Sequence, residues 1–444
     1  MQNKVNKDFW FRIESLSVEV TGSCNFVTYC VPGFQGNFVV DCGMFIGKEE
    51  QKYNYDLSFD PKQVSHVFIT HSHSDHCGRI GCLYNKGYQG KVYASEYTSE
   101  KLKTDAMRDF FSMRRTSEKL LYEEEDAKSI INQTEKLELY KTYQISQYLE
   151  VILLENAHQK GAVMYLFTLK YNGRRIRVLF TGDYKFKSFF GKSYFPIETY
   201  DDPITIVTEA THGTRKVPER KFKKIVKKAI RDGKKLLIVA LGDARYEEPV
   251  YRIKEMKEDG KIPFSVPVFL ELKRNFDISK MNLEILPANV TFCQKTIERE
   301  YALYYQAQSI LVCTNRGSLT YYLEKVIDKS QYVIIFTMHV TANSLTDTYI
   351  NTLKGNKVRV GKKELIKKAS LFQTDEFSGH DYEAWIVKLL KRFTNIQGIL
   401  LEHGAFESKQ DLQKGLTSKL RTNVYTLERG QAFKITEKGV RYSK

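Results

Sequence analysis

The chain has 444 residues, of which 42% are hydrophobic and 13% aromatic, enough apolar side chain for more than one packed core. Its 69 lysines and arginines outnumber its 53 aspartates and glutamates, and the net charge of +16 favours a polyanionic partner, most commonly nucleic acid. No apolar run is long enough to cross a membrane, the first residues lack a signal-peptide pattern, and the seven cysteines include no Cys-x-x-Cys pair, so a reduced, cytoplasmic protein is the simplest interpretation.

The first half of the chain is predicted to consist mainly of strands. Apolar residues with turn-forming glycines predict strands between residues 9 and 41, and residues 99–133 have a helical pattern. Further strands are predicted at residues 149–154, 163–168, 176–181 and 204–209.

Residues 71–76, with the sequence His-Ser-His-Ser-Asp-His, are the most informative segment. They directly follow the apolar run 64–70, so a turn after a buried strand can direct their side chains into one small volume. Neutral imidazole and carboxylate are good ligands for zinc and similar divalent ions. The pattern therefore predicts one ion at the first two of these side chains and a second ion at the other two: His71 and His73, then Asp75 and His76.

Two further candidate ligands also come just after predicted strands. His158 follows the strand at 149–154, and Asp183 follows the strand at 176–181, where Gly182 would let the backbone approach the site closely. Because a carboxylate has two oxygens, Asp183 is a candidate to bridge two metal ions.

After residue 209 the pattern changes to alternating helices and strands, which indicates a second, doubly wound unit. Its strands are predicted at residues 236–240, 266–270, 309–313 and 332–336. Two segments are strongly basic, residues 215–235 with eleven basic residues and residues 354–368 with seven. The first contains apolar residues at helical spacing behind Pro218, so it is predicted to be an amphipathic helix whose basic outer face contacts either phosphates or only water.

Three more polar residues have the setting of the candidate ligands. His380 follows Ser-Gly, His403 follows the apolar run 398–401, and Asp41 follows the run 38–40. Asp41 is predicted to hold a ligand histidine in place rather than to bind an ion itself. The remaining histidines are interpreted as structural residues: His66, His212 and His339.

The order of these residues resembles the motif series of the metallo-β-lactamase superfamily: Asp41, His71-x-His73-x-Asp75-His76, His158 and Asp183. Three later residues resemble the additional motifs of its β-CASP nuclease branch, which includes ribonuclease J and the endonuclease of the cleavage and polyadenylation machinery: Glu209, His380 and His403. The resemblance extends from about residue 16 to the C-terminus.

This resemblance implies an α/β fold, namely a metallo-β-lactamase αβ/βα sandwich with an inserted, doubly wound β-CASP domain. Residues 1–208 and 371–444 would form the sandwich, and residues 209–370 would form the insert. The substrate would then lie in the cleft between the domains.

The resemblance also implies a role for each motif residue. Two Zn²⁺ ions are expected, although Mn²⁺ would suit the same ligands. The first ion would be held by His71, His73 and His158, the second by Asp75, His76 and His380, with Asp183 bridging. A hydroxide shared by the two ions would attack phosphorus, leaving a 5′-phosphate and a 3′-hydroxyl. Of the expected catalytic residues Asp75, Glu209 and His403, the last would be the general acid and Glu209 would orient it.

A metal-dependent ribonuclease, acting internally, from the 5′ end or both, is therefore the leading hypothesis, with single-stranded RNA as its expected partner. A histidine at position 403 resembles the RNA-acting members, and a DNA nuclease is the alternative. A small-molecule metallo-hydrolase of the same superfamily would explain the metal loop but not the insert or the basic segments. A non-catalytic RNA-binding subunit is disfavoured because every ligand position is filled. The physiological RNA, the oligomeric state and any partner subunit stay open.

Overall fold

The computed structural model describes residues 9–47, 49–117, 119–189, 191–192, 199–274, 276, 278, 281–315, 318–340 and 344–443. The chain divides into two compact units. The first unit combines Met1–Lys216 with Gly379–Lys444, and the second is Val217–Ser378. Among the described residues, no helix combines the length and the apolar character that a membrane span requires.

In the described part of the first unit, one sheet has eight strands. Neighbouring strands are antiparallel as far as Phe34–Val40 and parallel beyond it. In their order across the sheet, the strands are Gly439–Ser443, Ala432–Thr436, Trp10–Ser15, Asn25–Val31, Phe34–Val40, His66–Phe68, Lys91–Ser95 and Thr134–Leu137.

A second sheet of the same unit has seven strands among the described residues. Its first four strands are mutually parallel, and the others are antiparallel to their neighbours. In order, the strands are Val424–Thr426, Ile396–Glu402, Ile204–Glu209, Arg174–Phe180, Val163–Tyr171, Leu149–Glu155 and Thr142–Gln144. A separate two-stranded ribbon pairs Lys187–Ser188 with Gly191–Lys192.

The two sheets pack face to face through large apolar side chains. Phe38 and Phe68 of the first sheet contact Phe167 of the second, with ring centroids 4.5 and 5.0 Å apart. Burial of such rings is a main source of stability in a core of this kind. The alternation of apolar residues along the strands supplies this shared layer, so both sheets direct one face inward.

Helices cover the outer faces of both sheets. Against the first sheet pack Ile80–Asn85, Glu96–Thr116 and Glu124–Gln133, and against the second Glu383–Leu390 and Phe406–Leu420. The unit also contains the short helix Ser74–Cys77 and the 3₁₀ turns Gln51–Tyr55 and Pro61–Gln63. This arrangement confirms the predicted αβ/βα sandwich.

The helical pattern predicted over residues 99–133 corresponds to two helices, Glu96–Thr116 and Glu124–Gln133. The second begins because the Asp126 carboxylate accepts a hydrogen bond from the backbone N–H of Glu123, 2.8 Å away. A side chain that satisfies a backbone N–H in this way at the first turn favours the start of a new helix.

The second unit is a parallel, doubly wound sheet, as predicted. Among its described residues the sheet has six strands: Val290–Cys293, Val268–Glu271, Ile310–Thr314, Lys235–Ala240, Tyr332–Phe336 and Ser370–Gln373. Its strands are rich in Val, Ile and Leu because both faces are covered. Helices Phe222–Arg231 and Glu247–Glu258 pack on one face, and Thr296–Tyr304, Leu319–Val326 and Leu345–Asn351 on the other. The unit is completed by helix Gly242–Arg245, the 3₁₀ turn Leu283–Ile285 and a hairpin of Lys357–Val360 with Lys363–Ile366.

Candidate metal centre

The loop that follows strand His66–Phe68 carries four polar side chains into the first unit. After residues 71–73 the chain enters the short helix Ser74–Cys77, which turns the later side chains back toward the earlier ones. The backbone of Gly43 lies against this helix, and a Cβ at Gly43 would be 1.6 Å from the Asp75 carbonyl oxygen. Glycine is therefore required at position 43 for the loop to pass.

The first group of candidate ligands contains three histidines and one carboxylate, all within 4.8 Å of one another: His71, His73, His158 and Asp183. His73 Nδ1 lies 3.0 Å from His71 Nε2 and 3.2 Å from His158 Nε2. Asp183 Oδ2 lies 3.7 Å from His71 Nε2. Tetrahedral zinc with bonds of about 2.0–2.1 Å separates its ligand atoms by about 3.3 Å, so this spacing fits one ion.

The second group shares Asp183 with the first and adds three other side chains: Asp75, His76 and His403. His76 Nε2 lies 3.2 Å from Asp183 Oδ2, and His403 Nδ1 lies 3.0 Å from Asp183 Oδ1. Asp75 Oδ2 lies 3.5 Å from His403 Nε2. Asp183 Oδ2 therefore faces histidines of both groups, and Oδ1 faces His403, so this carboxylate lies where the two groups meet.

A third group places His380 and Glu209 beside Asp183 and His403. Glu209 Oε2 accepts a hydrogen bond from His380 Nδ1 at 2.8 Å, whereas His380 Nδ1 is 4.0 Å from Asp183 Oδ2. The other oxygen of Glu209 accepts a hydrogen bond from the backbone N–H of Tyr184 at 2.7 Å. Glu209 is therefore a fixed carboxylate that orients His380.

Surrounding groups hold the histidines in place. Asp41 Oδ2 lies 2.7 Å from His76 Nδ1, and the backbone N–H of Thr70 donates to Asp41 Oδ1 at 2.8 Å. His158 Nδ1 donates to the carbonyl of Gly379 at 2.8 Å. Each contact directs the opposite ring nitrogen, Nε2, toward the centre of the site.

Two of the site's residues have a left-handed backbone, with φ of +60° at Asp41 and +45° at His403. This conformation is uncommon for residues other than glycine, although Asp and His tolerate it better than most. A strained backbone of this kind persists where many surrounding contacts hold it in place. Such positions cluster at functional sites.

Two histidines of the first group, His71 and His73, favour the neutral form. Burial, reinforced by neighbouring imidazoles, lowers the pKa of His71 well below its usual value. Burial also lowers the pKa of His73 to about 4. Neutral imidazole is the form that binds a metal ion.

On the opposite side of the centre, carboxylates dominate. Burial disfavours the charged ring, but Asp183 and Asp41 outweigh it and raise the pKa of His76 well above its usual value. Burial is similarly outweighed at His380, where Glu209 and Asp183 raise the pKa to about 9. The centre therefore has a side of neutral imidazoles and a side rich in negative charge.

The donor set fits a divalent cation. Three buried atoms, His76 Nε2, His403 Nε2 and Asp183 Oδ1, make no hydrogen bond to the described part of the chain, although each lies 3.0–3.5 Å from a carboxylate or imidazole of the site. A buried polar atom without a partner is costly, and a cation at the centre would satisfy all three. Histidine and carboxylate together suit zinc and manganese.

The structure brings together all ten residues singled out from the sequence, but in a different grouping: Asp41, His71, His73, Asp75, His76, His158, Asp183, Glu209, His380 and His403. His403, rather than His380, lies with Asp75 and His76. Glu209 is hydrogen-bonded to His380, rather than to His403 as expected. The described histidines His66, His212 and His339 belong to none of the three groups.

One site residue, Thr211, was not named from the sequence. The Thr211 hydroxyl lies 3.3 Å from His380 Nδ1 and 3.2 Å from His403 Nδ1, and it donates to the His403 carbonyl at 3.1 Å. Its position two residues after Glu209, at the end of a parallel strand, is the one feature that could have indicated it.

Two family models match parts of the chain. The model of the metallo-beta-lactamase superfamily matches residues 20–155, which include Asp41 and the loop 71–76. The model described as the Zn-dependent metallo-hydrolase RNA specificity domain matches residues 365–427, which include His380 and His403.

Several proteins of known name are similar over much of the chain. Transcription termination factor FttA of Methanosarcina mazei is 23% identical, and the match covers 95% of this chain and 71% of that protein. Ribonuclease TTHA0252 of Thermus thermophilus is 28% identical over 52% of each chain. Probable RNase MJ4 of Methanocaldococcus jannaschii is 24% identical over 83% of this chain and 88% of that protein. Across five FttA proteins the match spans 42% to 71% of their length.

Proposed function

Because the chain belongs to the β-CASP ribonuclease branch of the metallo-β-lactamase superfamily, we propose that it is a metal-dependent ribonuclease. It would hydrolyse phosphodiester bonds of single-stranded RNA and leave a 5′-phosphate and a 3′-hydroxyl. The observation that carries this proposal is the convergence of three His/carboxylate groups on one shared carboxylate, Asp183.

The proposed cofactor is a pair of Zn²⁺ ions, with Mn²⁺ as the other ion that these ligands suit. When bound, divalent cations make hydroxide available near neutral pH and stabilise negative charge on phosphoryl oxygens. The proposed ligands of the first ion are His71, His73 and His158, with Asp183 shared between both ions.

We propose His403, rather than His380, as the histidine ligand of the second ion. His403 Nδ1 is 3.0 Å from Asp183 Oδ1, and its buried Nε2 has no hydrogen-bond partner among the described residues. His380 Nδ1 is instead engaged by Glu209. The second set would therefore be Asp75, His76, His403 and Asp183.

His380 then takes the role of proton donor to the leaving 3′-oxygen. Glu209 accepts a hydrogen bond from Nδ1 and fixes the ring, so Nε2 is the nitrogen that can give a proton to a substrate. A carboxylate beside the ring also stabilises its charged form, which is the form that donates. Thr211 lies between the two histidines and helps to set their separation.

Three features support the substrate assignment: the first favours RNA, and the other two favour a nucleic acid phosphodiester in general. The RNA-specificity match covers the segment that contains His380 and His403, and two of the similar proteins carry ribonuclease names. The net charge of +16 favours a polyanion. The pairing of Glu209 with His380 supplies a proton donor suited to an alkoxide leaving group.

The test is a cleavage assay with matched single-stranded RNA and DNA oligonucleotides, each labelled at the 5′ or the 3′ end. We expect RNA to be cut by the protein loaded with Zn²⁺ or Mn²⁺, with products carrying a 5′-phosphate, and activity to be lost on chelation. The two label positions distinguish internal cleavage from cleavage at the 5′ end.

Cleavage of DNA but not RNA would overturn the substrate assignment and favour a DNA nuclease. Hydrolysis of a lactam or thioester without phosphodiesterase activity would favour a small-molecule hydrolase. RNA cleavage that persists in protein shown by elemental analysis to be free of metal would overturn the chemistry.

A further inference from the structure

A row of basic side chains runs along the exposed face of helix Phe222–Arg231 in the second unit. Each of the four residues lies three or four positions from two of the others, and all are exposed: Lys224, Lys227, Lys228 and Arg231. We call them the basic stripe. At this spacing they occupy one side of the helix, and over about 1.5 Å per residue they extend for about 10 Å.

The opposite face of the helix is anchored in the core of the second unit. Its buried residues are Phe222, Val226, Ala229 and Ile230. Glu376 fixes the start of the helix, because its Oε1 accepts a hydrogen bond from the backbone N–H of Phe222 at 2.6 Å. The stripe is therefore displayed on a rigid element.

Most of the stripe's charge is not neutralised by its neighbours. Lys224 and Lys227 have no carboxylate partner among the described residues, and Lys228 and Arg231 share a single one, Asp232. Over residues 219–234 there are eight basic residues and two acidic ones. An anion that approached this face would meet cations that lack counter-charges.

This arrangement opposes the stability of the helix. Like charges three or four residues apart repel each other, and the first turn contains no acidic residue to complement the helix dipole. Two helices of the first unit differ in that acidic residues occupy their first turn, Glu96 in helix Glu96–Thr116 and Glu124 to Asp126 in helix Glu124–Gln133. A helix that keeps repelling charges on its surface fits a role in binding a polyanion.

We propose that the basic stripe is a docking face for the sugar–phosphate backbone of single-stranded RNA. The inference rests on the proposed function, because RNA is the polyanion that the metal centre would act on. Lysine and arginine bind phosphate without reading sequence, so the stripe would contribute affinity and not sequence preference. It would act on binding and leave the chemical step unchanged.

The test uses the full chain with Lys224→Gln, Lys227→Gln and Lys228→Gln combined. Glutamine has nearly the helix propensity of lysine, so the helix should persist. Binding is measured by fluorescence anisotropy with a labelled single-stranded RNA carrying 2′-O-methyl groups, over a range of KCl concentrations. We expect the Kd to rise roughly tenfold at low salt, and the slope of log affinity against log salt to fall by about 2, as expected for three lost phosphate contacts.

Kinetics and stability provide readouts that a structural role would not give. On cleavable RNA the KM should rise while kcat at saturation is retained. The thermal midpoint should be unchanged or higher, because the substitutions remove like-charge repulsion. A lower midpoint together with lower kcat would indicate a structural role and overturn the proposal.

A matched control removes the same charge elsewhere. Lys103→Gln, Arg114→Gln and Arg115→Gln combined lie on helix Glu96–Thr116 of the first unit, where these side chains are exposed. We expect this control to bind RNA nearly as well as the wild type. An equal loss in both variants would show that only net charge matters, and an unchanged Kd in the stripe variant would overturn the docking face.

The outcomes separate this proposal from the proposed function. If the wild type cleaves RNA but the stripe variant has an unchanged Kd and salt slope, the docking face is overturned and the proposed function is kept. If the wild type binds RNA without cutting it, and the stripe variant loses that binding, the docking face is supported and the proposed activity is overturned. Binding of phosphatidylserine vesicles that is lost in the variant, with RNA binding unaffected, would assign the face to an anionic membrane and overturn the RNA proposal.

Discussion

The metal centre and the basic stripe use charge in opposite ways. In the centre, His71, His76 and Asp183 are almost completely buried, and each faces a specific partner. In the stripe, Lys224 and Lys227 are exposed and have no carboxylate partner among the described residues. Buried charges depend on the position of every neighbour, whereas exposed charges act mainly through their sum. Substitutions should therefore have large, non-additive effects in the centre and small, additive effects in the stripe.

The largest effect is expected at Asp183, which belongs to all three groups of candidate ligands. Asp183→Asn preserves the shape of the side chain but removes the charge that would be shared between two ions. We expect kcat on RNA to fall by about 10³-fold or more, with fewer bound ions than the two we propose for the wild type. Elemental analysis and single-turnover kinetics measure the two quantities.

Circular dichroism controls for folding, since Asp183 is buried beside His76 and His403. A folded variant that keeps both ions and wild-type kcat would show that Asp183 is not shared between them. It would also contradict the expectation that substitutions in the centre depend on the position of every neighbour, whereas those in the stripe depend on total charge.

His380 and His403 should differ in the kind of loss they produce. His403→Ala should lower the metal content toward one ion, because His403 lies beside Asp75 and Asp183. His380→Ala should retain the ions and slow cleavage by roughly 10²–10⁴-fold, the usual contribution of a general acid. Metal content, measured together with kcat, distinguishes the two residues.

Glu209→Gln supplies the matched control for this pair, because it weakens the hold on His380 without touching the ligands of the first ion. It should reduce kcat while leaving the metal content unchanged. The reverse result, with ions lost in His380→Ala and retained in His403→Ala, would restore the assignment of His380 as ligand and His403 as proton donor.

The fold could be predicted from the sequence, and the ten residues named from it lie together in the structure, where their role as a metal site stays a prediction. The loop 71–76 is contiguous, so its spacing alone indicates a metal site, and the change from strands to alternating helices and strands after residue 209 indicated the doubly wound unit. Asp183 and His403 could be named because residues at the carboxyl ends of parallel strands meet at one edge. His158 could be named because it comes just after the end of strand Leu149–Glu155, which is antiparallel to its neighbours.

The pairing within the site could not be predicted. His380 follows a turn and His403 directly follows strand Ile396–Glu402, and their order along the chain does not indicate which one faces a given carboxylate. That choice depends on the register between strands Ile204–Glu209 and Ile396–Glu402, which sets Glu209 opposite Glu402 and His403 beside Ala210. Thr211 could not be named because a single threonine carries no spacing signal.

A smaller effect is expected at Asp41, which touches His76 but belongs to none of the three groups of candidate ligands. Asp41→Asn should weaken metal affinity by about 10–100-fold, the usual effect of removing a carboxylate that orients a ligand histidine. Asparagine tolerates the left-handed backbone that Asp41 adopts at φ +60°, so the loss would report charge and not backbone strain. Titration with a competing chelator measures the affinity, and an unchanged affinity would remove Asp41 from the metal centre.

The smallest effects are expected for single substitutions in the stripe. They test whether effects are additive in the stripe and non-additive in the metal centre. Lys224→Gln, Lys227→Gln or Lys228→Gln alone should raise the Kd for RNA by about 2–3-fold and lower the salt slope by about 0.7. Because exposed residues that share no partner act independently, the product of the three single effects on Kd should equal the effect of the combined variant.

In the centre, Asp183→Asn combined with His403→Ala should lower kcat little more than Asp183→Asn alone, since both changes would remove the same ion. Strong coupling among the lysines would mean that they form one specific phosphate pocket and not an extended docking face.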